Sequence, residues 1–222
     1  MSDPVTLWPD VLGRLVRREE LAPELAAAAL DAVLAGEATD AQIAAFATLL
    51  RAKGETPVEL AALARAMLAR AEPIELADPG PLVDTCGTGG DRAGTVNVST
   101  MAALIAAGAG ATVAKHGNRA ASSQCGSADV LDALGVVVDL GPKGVARCIT
   151  DAGIGFCFAP RFHASMRFAA GVRRELGVPT TFNFLGPLAN PAGATRRTVG
   201  VSDPTMAERM IGALAELGVE HA

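Results

Sequence analysis

Apolar residues recur at spacings of three and four through VLGRLVRREEL, and from residue 1 to about residue 72 the chain carries helix signals only. LAPELAAAALDAVLAG ends at Gly36, which suits a helix C-cap. Thr39 or Asp40 caps DAQIAAFATLLRAKG, and Thr56 followed by Pro57 opens TPVELAALARAMLARA. Short Ala and Leu faces on several small helices predict a bundle packed on the rest of the chain or on a second copy of itself. EPIELADPGP, rich in Pro and acid, reads as a linker. After it, short apolar runs alternate with helical patterns: PLVDT, VNVSTMAALIAAG, ATVAKHG, SADVLDALG, VVVDLG, PKGVARCITDAG, IGFCFAP, HASMRFAAGVRRELG, TVGVS and TMAERMIGALAELG. The pattern predicts an α/β fold: a small helical domain, 1–72, and a larger domain, 73–222, with a mainly parallel sheet flanked by helices. The closing VEHA reads as the start of another strand, so the larger domain is expected to be incomplete at its C-terminal side.

With 222 residues, half of them hydrophobic, the chain can bury a sizeable core. A net charge of −5 with scattered basic residues argues against a nucleic-acid partner. The apolar stretches are short or interrupted, and MSDPVTLWPDVLGRL has neither a basic n-region nor a continuous apolar h-region, so neither a membrane span nor export is expected. Cys86, Cys125, Cys148 and Cys157 form no C-x-x-C pair, which fits reduced thiols in a cytoplasmic protein better than zinc or disulfides.

In parallel sheets of this kind ligands sit at the carboxyl ends of strands, where both Gly-rich segments fall. In DTCGTGGDRAGTVNVST, Gly87, Gly89, Gly90 and Gly94 let consecutive N–H groups point into one concavity, an anion nest. Asn97, Ser99 and Thr100 then stand at a helix N-terminus that favours phosphate, although Ser99 and Thr100 also read as simple caps. Thr95 follows Gly94 where a Walker A loop needs Lys, and G-x-G-x-x-G spacing is absent. Asp91 would repel a bare phosphate, so the ligand is expected to bring a cation or a ribose hydroxyl.

The second loop, KHGNRAASSQCGSADVL, supplies Lys115 and Arg119 as cations, Asn118 as an amide, and Ser122, Ser123 and Ser127 as hydroxyls. Taken alone, Lys115 also reads as a solvated strand-end lysine and His116 as a packed or exposed imidazole. In PRFHASMRFAAGVRRELG, a continuous helix puts Arg173 roughly three turns from His163 on one face, with Arg174 displaced by about 100°. One arginine there suits a bidentate grip on a carboxylate, while Arg167 and Arg174 read as surface residues. NFLGPLANPAG reads as a structural turn.

Together DTCGTGGDRAGTVNVST, KHGNRAASSQCGSADVLDALG and NFLGPLANPA resemble the anthranilate phosphoribosyltransferases of tryptophan biosynthesis, and AGEATDAQIAAFATLLRAKGETP is similar to that family's helical segment. The resemblance implies transfer of the phosphoribosyl group of 5-phosphoribosyl 1-diphosphate to anthranilate, with Mg2+ as cofactor. It assigns donor contacts to Gly87, Gly90, Asp91, Thr95, Asn97, Val98, Ser99 and Thr100, with Ser99 also touching the metal. It extends them to Lys115, His116, Gly117, Asn118, Arg119, Ala120, Ala121, Ser122, Ser123 and Ser127. Gly87, Asn118 and Arg173 would hold anthranilate, with His116 and His163 lining its entrance; Lys115 and Arg173 would carry the catalytic roles.

The same resemblance implies a homodimer through the N-terminal helices and closure of one domain on the other. The family's acidic Asp-Glu pair for Mg2+ would follow the strand begun by VEHA, so the 222-residue chain is expected to bind donor and metal weakly. Arg92 and Ala93 in the first loop, and HASM at 163–166, depart from the family pattern. A pyrimidine nucleoside phosphorylase of the same broad architecture and a noncatalytic sensor of phosphoribosyl diphosphate are the competing readings.

Overall fold

Threonine caps set two of the first helices in the computed structural model, which describes residues 4–90, 94–120 and 125–222. Thr39 opens α3 (Asp40–Lys53) and Thr56 opens α4 (Pro57–Ala69), each closing a capping box, with Gln42 and Glu59 respectively. Before them run α1 (Pro4–Val16) and α2 (Pro23–Ala35), the latter ended by Gly36 in the left-handed conformation at φ 77°. Among the described residues no helix is long and apolar enough to cross a membrane.

Beyond residue 80 strands and helices alternate: β1 (Leu82–Gly87), α5 (Val98–Gly108), β2 (Thr112–Gly117), α6 (Ser127–Ala133), α7 (Pro142–Ala152) and β3 (Ile154–Phe158). Then come α8 (Ala159–Phe162), a 3-10 turn at Ala164–Met166, α9 (Arg167–Leu176), α10 (Phe182–Leu188), β4 (Arg196–Gly200) and α11 (Pro204–Glu216). The sheet order is β3-β2-β1-β4 and every pairing is parallel, with Gly87 opposite Gly200 and Gly117 opposite Phe158. All four carboxyl ends therefore open on one side. In the final VEHA, His221 makes a parallel bridge to Arg196, and Arg197 N–H donates to the His221 carbonyl at 2.8 Å, so the chain does run beside β4.

The structure corrects two expected elements. Residues 136–140 form no ladder; Val136 and Val137 are exposed, and Val138 alone is buried, against Ala128 and Leu131. Strand propensity in VVVDL finds no partner there. The helix expected over HASMRFAAGVRREL starts only after His163, whose backbone (φ −117°, ψ 48°) is non-helical, and its first turn is the 3-10 turn before α9.

The largest apolar cluster does not stop at the linker. It joins Leu30, Phe46, Leu50, Leu60 and Leu63 of the first helices to Leu185 and Leu188 of α10 and Met206 and Met210 of α11. Each such side chain, fully buried, contributes about 1.5–3 kcal/mol. The first helices thus pack on the rest of the chain, and that shared core holds α9 and α10 over the open ends of the strands.

Candidate active site

A cavity of about 570 Å3 lies at the carboxyl ends of the strands. Its floor is the first loop, with Gly87, Thr88, Gly89, Gly90, Asn97 and Ser99. Gly89 and Gly90 are consecutive left-handed residues, at φ 67° and 81°, a conformation open to glycine and costly for other residues. Asn97 is the N-cap residue of α5 and makes no side-chain cap bond; its amide instead donates to the Cys125 carbonyl at 3.2 Å, tying the first loop to the second. Ser99 and Thr100 lie inside the first turn of α5, so neither is its N-cap.

The second loop forms one wall through Lys115, His116, Gly117, Asn118, Arg119, Ala120 and Ser127. Asp129 shapes it, its Oδ2 accepting the N–H groups of Gly126 at 2.8 Å and Ala120 at 2.9 Å. Gly126 is required by contact: a Cβ there would meet Ala120 N at 2.3 Å and Arg119 C at 2.5 Å. Arg119 also lines the cavity and pairs with two carboxylates of α6, Asp129 at 3.0 Å and Asp132 at 2.6 Å. Lys115, the other cation of this segment, is held by different groups.

Lys115 is buried rather than solvated, donating to the Thr85 carbonyl at 2.6 Å and to Ser99 Oγ at 3.3 Å. Burial pulls its pKa down, opposed by the charge of Asp84. Asp84, fully enclosed on β1, accepts the His116 N–H at 2.9 Å; burial nevertheless raises its pKa. The ammonium therefore sits among a carbonyl, a hydroxyl and a carboxylate at the edge of the nest.

The opposite wall comes from the helical side: Met67 of α4, Met166 at the end of the 3-10 turn, and Arg167, Ala170 and Arg173, spaced by threes so that one face of α9 looks into the cavity. Arg173 lies 5.9 Å above the Phe182 ring; among the described residues no ion pair or hydrogen bond engages its guanidinium, and burial lowers its pKa. Arg174 is exposed and does not line the cavity, as expected, whereas Arg167 does line it while stacking at 4.4 Å on Phe168.

His116 and His163 meet edge to face at 5.1 Å between ring centroids. His116 Nδ1 donates to the Gly186 carbonyl and His163 Nε2 to the Ala189 carbonyl, each at 3.0 Å. Desolvation lowers their pKa values to about 4 and about 3, so both rings are neutral near pH 7. The segment read as a structural turn is thus partly a helix, α10, and Phe182, Asn183, Gly186 and Pro187 line the cavity. Sequence reasoning missed them, along with Met67 and Pro160. The signal for α10 was present in the resemblance of NFLGPLANPA, but its Gly and Pro suggested only a turn.

Three expected contacts do not line the cavity: Thr95 and Val98 are exposed, Val98 on the outer face of α5, and Thr100 is buried within the fold. Asp91, Ala121, Ser122 and Ser123, with Arg92 and Ala93, lie outside the described residues. Among the described residues no group of three or more His, Cys, Asp or Glu side chains is placed to hold a metal ion; Ser99 contributes a hydroxyl.

Residues 79–222 match the glycosyl transferase family a/b domain, and residues 9–71 match the helical bundle domain of the same family. The chain is 59% identical over 213 residues to an anthranilate phosphoribosyltransferase of Roseiflexus castenholzii, covering 96% of this chain and 62% of the relative. The enzyme of that name from Saccharopolyspora erythraea is 56% identical over 211 residues, covering 95% and 60%. The chain thus spans less than two thirds of the length of these relatives. Among solved structures, the anthranilate phosphoribosyltransferase of Thermus thermophilus superposes with a TM-score of 0.90 at 48% identity, over 95% of this chain and 64% of that one. The Saccharomyces cerevisiae enzyme in complex with PRPP and Mg superposes with a TM-score of 0.89 at 29% identity, over 99% and 65%. With both of its domains matched along the chain, this protein belongs to the glycosyl transferase family.

Proposed function

We propose that the protein transfers the phosphoribosyl group of 5-phosphoribosyl 1-diphosphate to the amine of anthranilate, releasing diphosphate, in the biosynthesis of tryptophan. The observation that carries the reading is the pairing, across one cavity, of a glycine nest with a buried lysine and a partly buried arginine that no carboxylate of the described residues neutralises. The nest and Lys115 suit a diphosphate; Arg173 suits the carboxylate of the acceptor. Relatives and solved structures that bear the name anthranilate phosphoribosyltransferase support the same choice over a nucleoside phosphorylase.

An aromatic amine is neutral at pH 7 and already nucleophilic, so placement of the two reactants is the main task of the acceptor side. Arg173 would hold the carboxylate so that the amine faces C1 of the ribose. The Lys115 ammonium, kept dry beside Ser99, would meet the negative charge that develops as diphosphate departs, where low dielectric strengthens it. His116 and His163, neutral and fixed on carbonyls of α10 and its C-cap, add no competing positive charge to the acceptor side.

Mg2+ fits this cavity as a companion of the substrate. Such an ion keeps most of its water and phosphate ligands, and the Ser99 hydroxyl, which lines the cavity, is the described side chain that would touch it. When bound, it neutralises charge on the leaving diphosphate. The proposal places the protein in the cytoplasm, which four cysteines without a C-x-x-C pair suit, and pairs it as a homodimer through helices of a 1–72 domain, with 73–222 binding the donor. Sedimentation checks the dimer.

The test is direct. Anthranilate fluorescence should fall when the folded protein, the donor and Mg2+ are mixed, and should hold steady if any one is omitted. An unchanged signal from folded protein of the relatives' full length refutes the transfer reaction.

A further inference from the structure

The carboxylate of Glu55 is fully enclosed between α3 and α4, yet it caps neither helix. Gly54 ends α3, and the capping box of α4 is made by Thr56 and Glu59. Glu55 instead uses one oxygen on a distant segment and shares the other between α3 and α11. Oε1 accepts the hydroxyl of Thr181, the residue before α10, at 2.6 Å. Oε2 faces Arg51 at 3.2 Å and Arg209 of α11 at 3.6 Å. Arg51 also pairs with Asp203, the N-cap residue of α11, and its guanidinium lies 5.0 Å over the Phe184 ring.

A buried ion pair adds little net stability over a well-packed apolar substitute, so the geometry it imposes is the better explanation for it. The geometry in question is that of α10. Immediately past Thr181, Phe182 and Asn183 line the cavity, and Phe182 lies under Arg173. The other end of α10 is held from the sheet, where Arg197 donates to the Leu188 carbonyl at 2.8 Å. With that end fixed, the Glu55 contact sets the tilt of the helix.

We propose that Glu55 is a positioning residue for the acceptor side of the cavity: through Thr181 it places α10, and with it Phe182 and Asn183 opposite Arg173. The inference rests on the reading of that side as the anthranilate site. It predicts that the helical bundle governs acceptor binding through a contact remote from the ligand, while donor binding, built on the β1 and β2 loops, is left alone.

Thr181→Val removes the hydroxyl at constant shape, Thr181→Ser restores it, and Glu55→Gln alters the other partner. Amide hydrogen exchange across α10 is measured for each variant without ligand, followed by calorimetric titration with anthranilate and with 5-phosphoribosyl 1-diphosphate plus Mg2+. We expect Thr181→Val to speed exchange in α10 but not in α2, and to weaken anthranilate roughly tenfold with the donor within about twofold. Thr181→Ser should match the parent, and Glu55→Gln combined with Thr181→Val should be no worse than the more affected single variant. Unchanged α10 exchange in Thr181→Val overturns the proposal, as does an equal loss for both ligands. A parent protein that binds donor but not anthranilate overturns the functional reading, and the exchange data still decide whether Glu55 holds α10.

Discussion

Arg173→Ala separates a functional arginine from a structural one. The guanidinium is partly desolvated on α9, and its one described partner is the Phe182 ring at 5.9 Å. Removing it forfeits a cation–π contact of about 0.5–1 kcal/mol and relieves the cost of an unpaired, partly buried charge of similar size. Net stability should therefore stay within about 1 kcal/mol, or about 2–4 °C in Tm for a chain of this size. Binding is different. Loss of charge-assisted hydrogen bonds to a carboxylate costs about 2–3 kcal/mol, or roughly 30- to 150-fold in anthranilate affinity. Arg173→Lys keeps the charge and loses the fork, so it should fall between parent and alanine variant. Fluorescence titration with anthranilate, calorimetry with the donor and a thermal melt read the three quantities separately. A larger loss for the donor than for anthranilate, or a Tm drop well beyond the expected few degrees, refutes the assignment.

Lys115→Met keeps the stem of the side chain and deletes the charge; kcat should fall by about 10²–10³ with anthranilate affinity retained, and an unchanged kcat in steady-state assays would remove Lys115 from leaving-group stabilisation. Stability should decline as pH drops, because His116 and His163 have folded pKa values of about 4 and about 3, below the ordinary 6.5. Their contribution is fully present above pH 6.5 and is lost as pH falls toward 4 and then 3, at up to about 1.4 kcal/mol per pH unit for each ring. Urea denaturation from pH 7.5 to 4.5 tests this, and a His116→Asn variant should show the shallower slope; identical slopes would contradict it. Gly126→Ala forces a Cβ into the backbone of residues 119 and 120, so it should cost about 1–3 kcal/mol and weaken the donor more than anthranilate in calorimetry. Native affinity for both ligands would show that the second loop tolerates the shift.

What was legible in the sequence was what local rules decide. Thr39, Thr56 and Gly36 announce helix ends because a cap is satisfied within a few residues, and the alternation after residue 80 announces a parallel sheet. The misread elements were decided by distant partners. The helical pattern of HASMRFAAGVRREL excludes its first residue, His163, whose ring donates to the Ala189 carbonyl, twenty-six residues away. Gly186 and Pro187 read as turn formers, yet α10 persists because His116 takes the Gly186 carbonyl and Arg197 the Leu188 carbonyl, satisfying the open end of the helix. The same limit applies to the site. Lys115, Arg119 and Arg173 all read as cations for an anionic ligand, and composition cannot rank them. Tertiary structure separates them: α6 brings Asp129 and Asp132 onto Arg119, β1 brings a carbonyl and the charge of Asp84 to Lys115, and α9 brings no carboxylate of the described residues to Arg173. A charge already paired has less left for a ligand, and of the three it is the arginine across the cavity that meets no carboxylate of the described residues to compete with an anionic ligand.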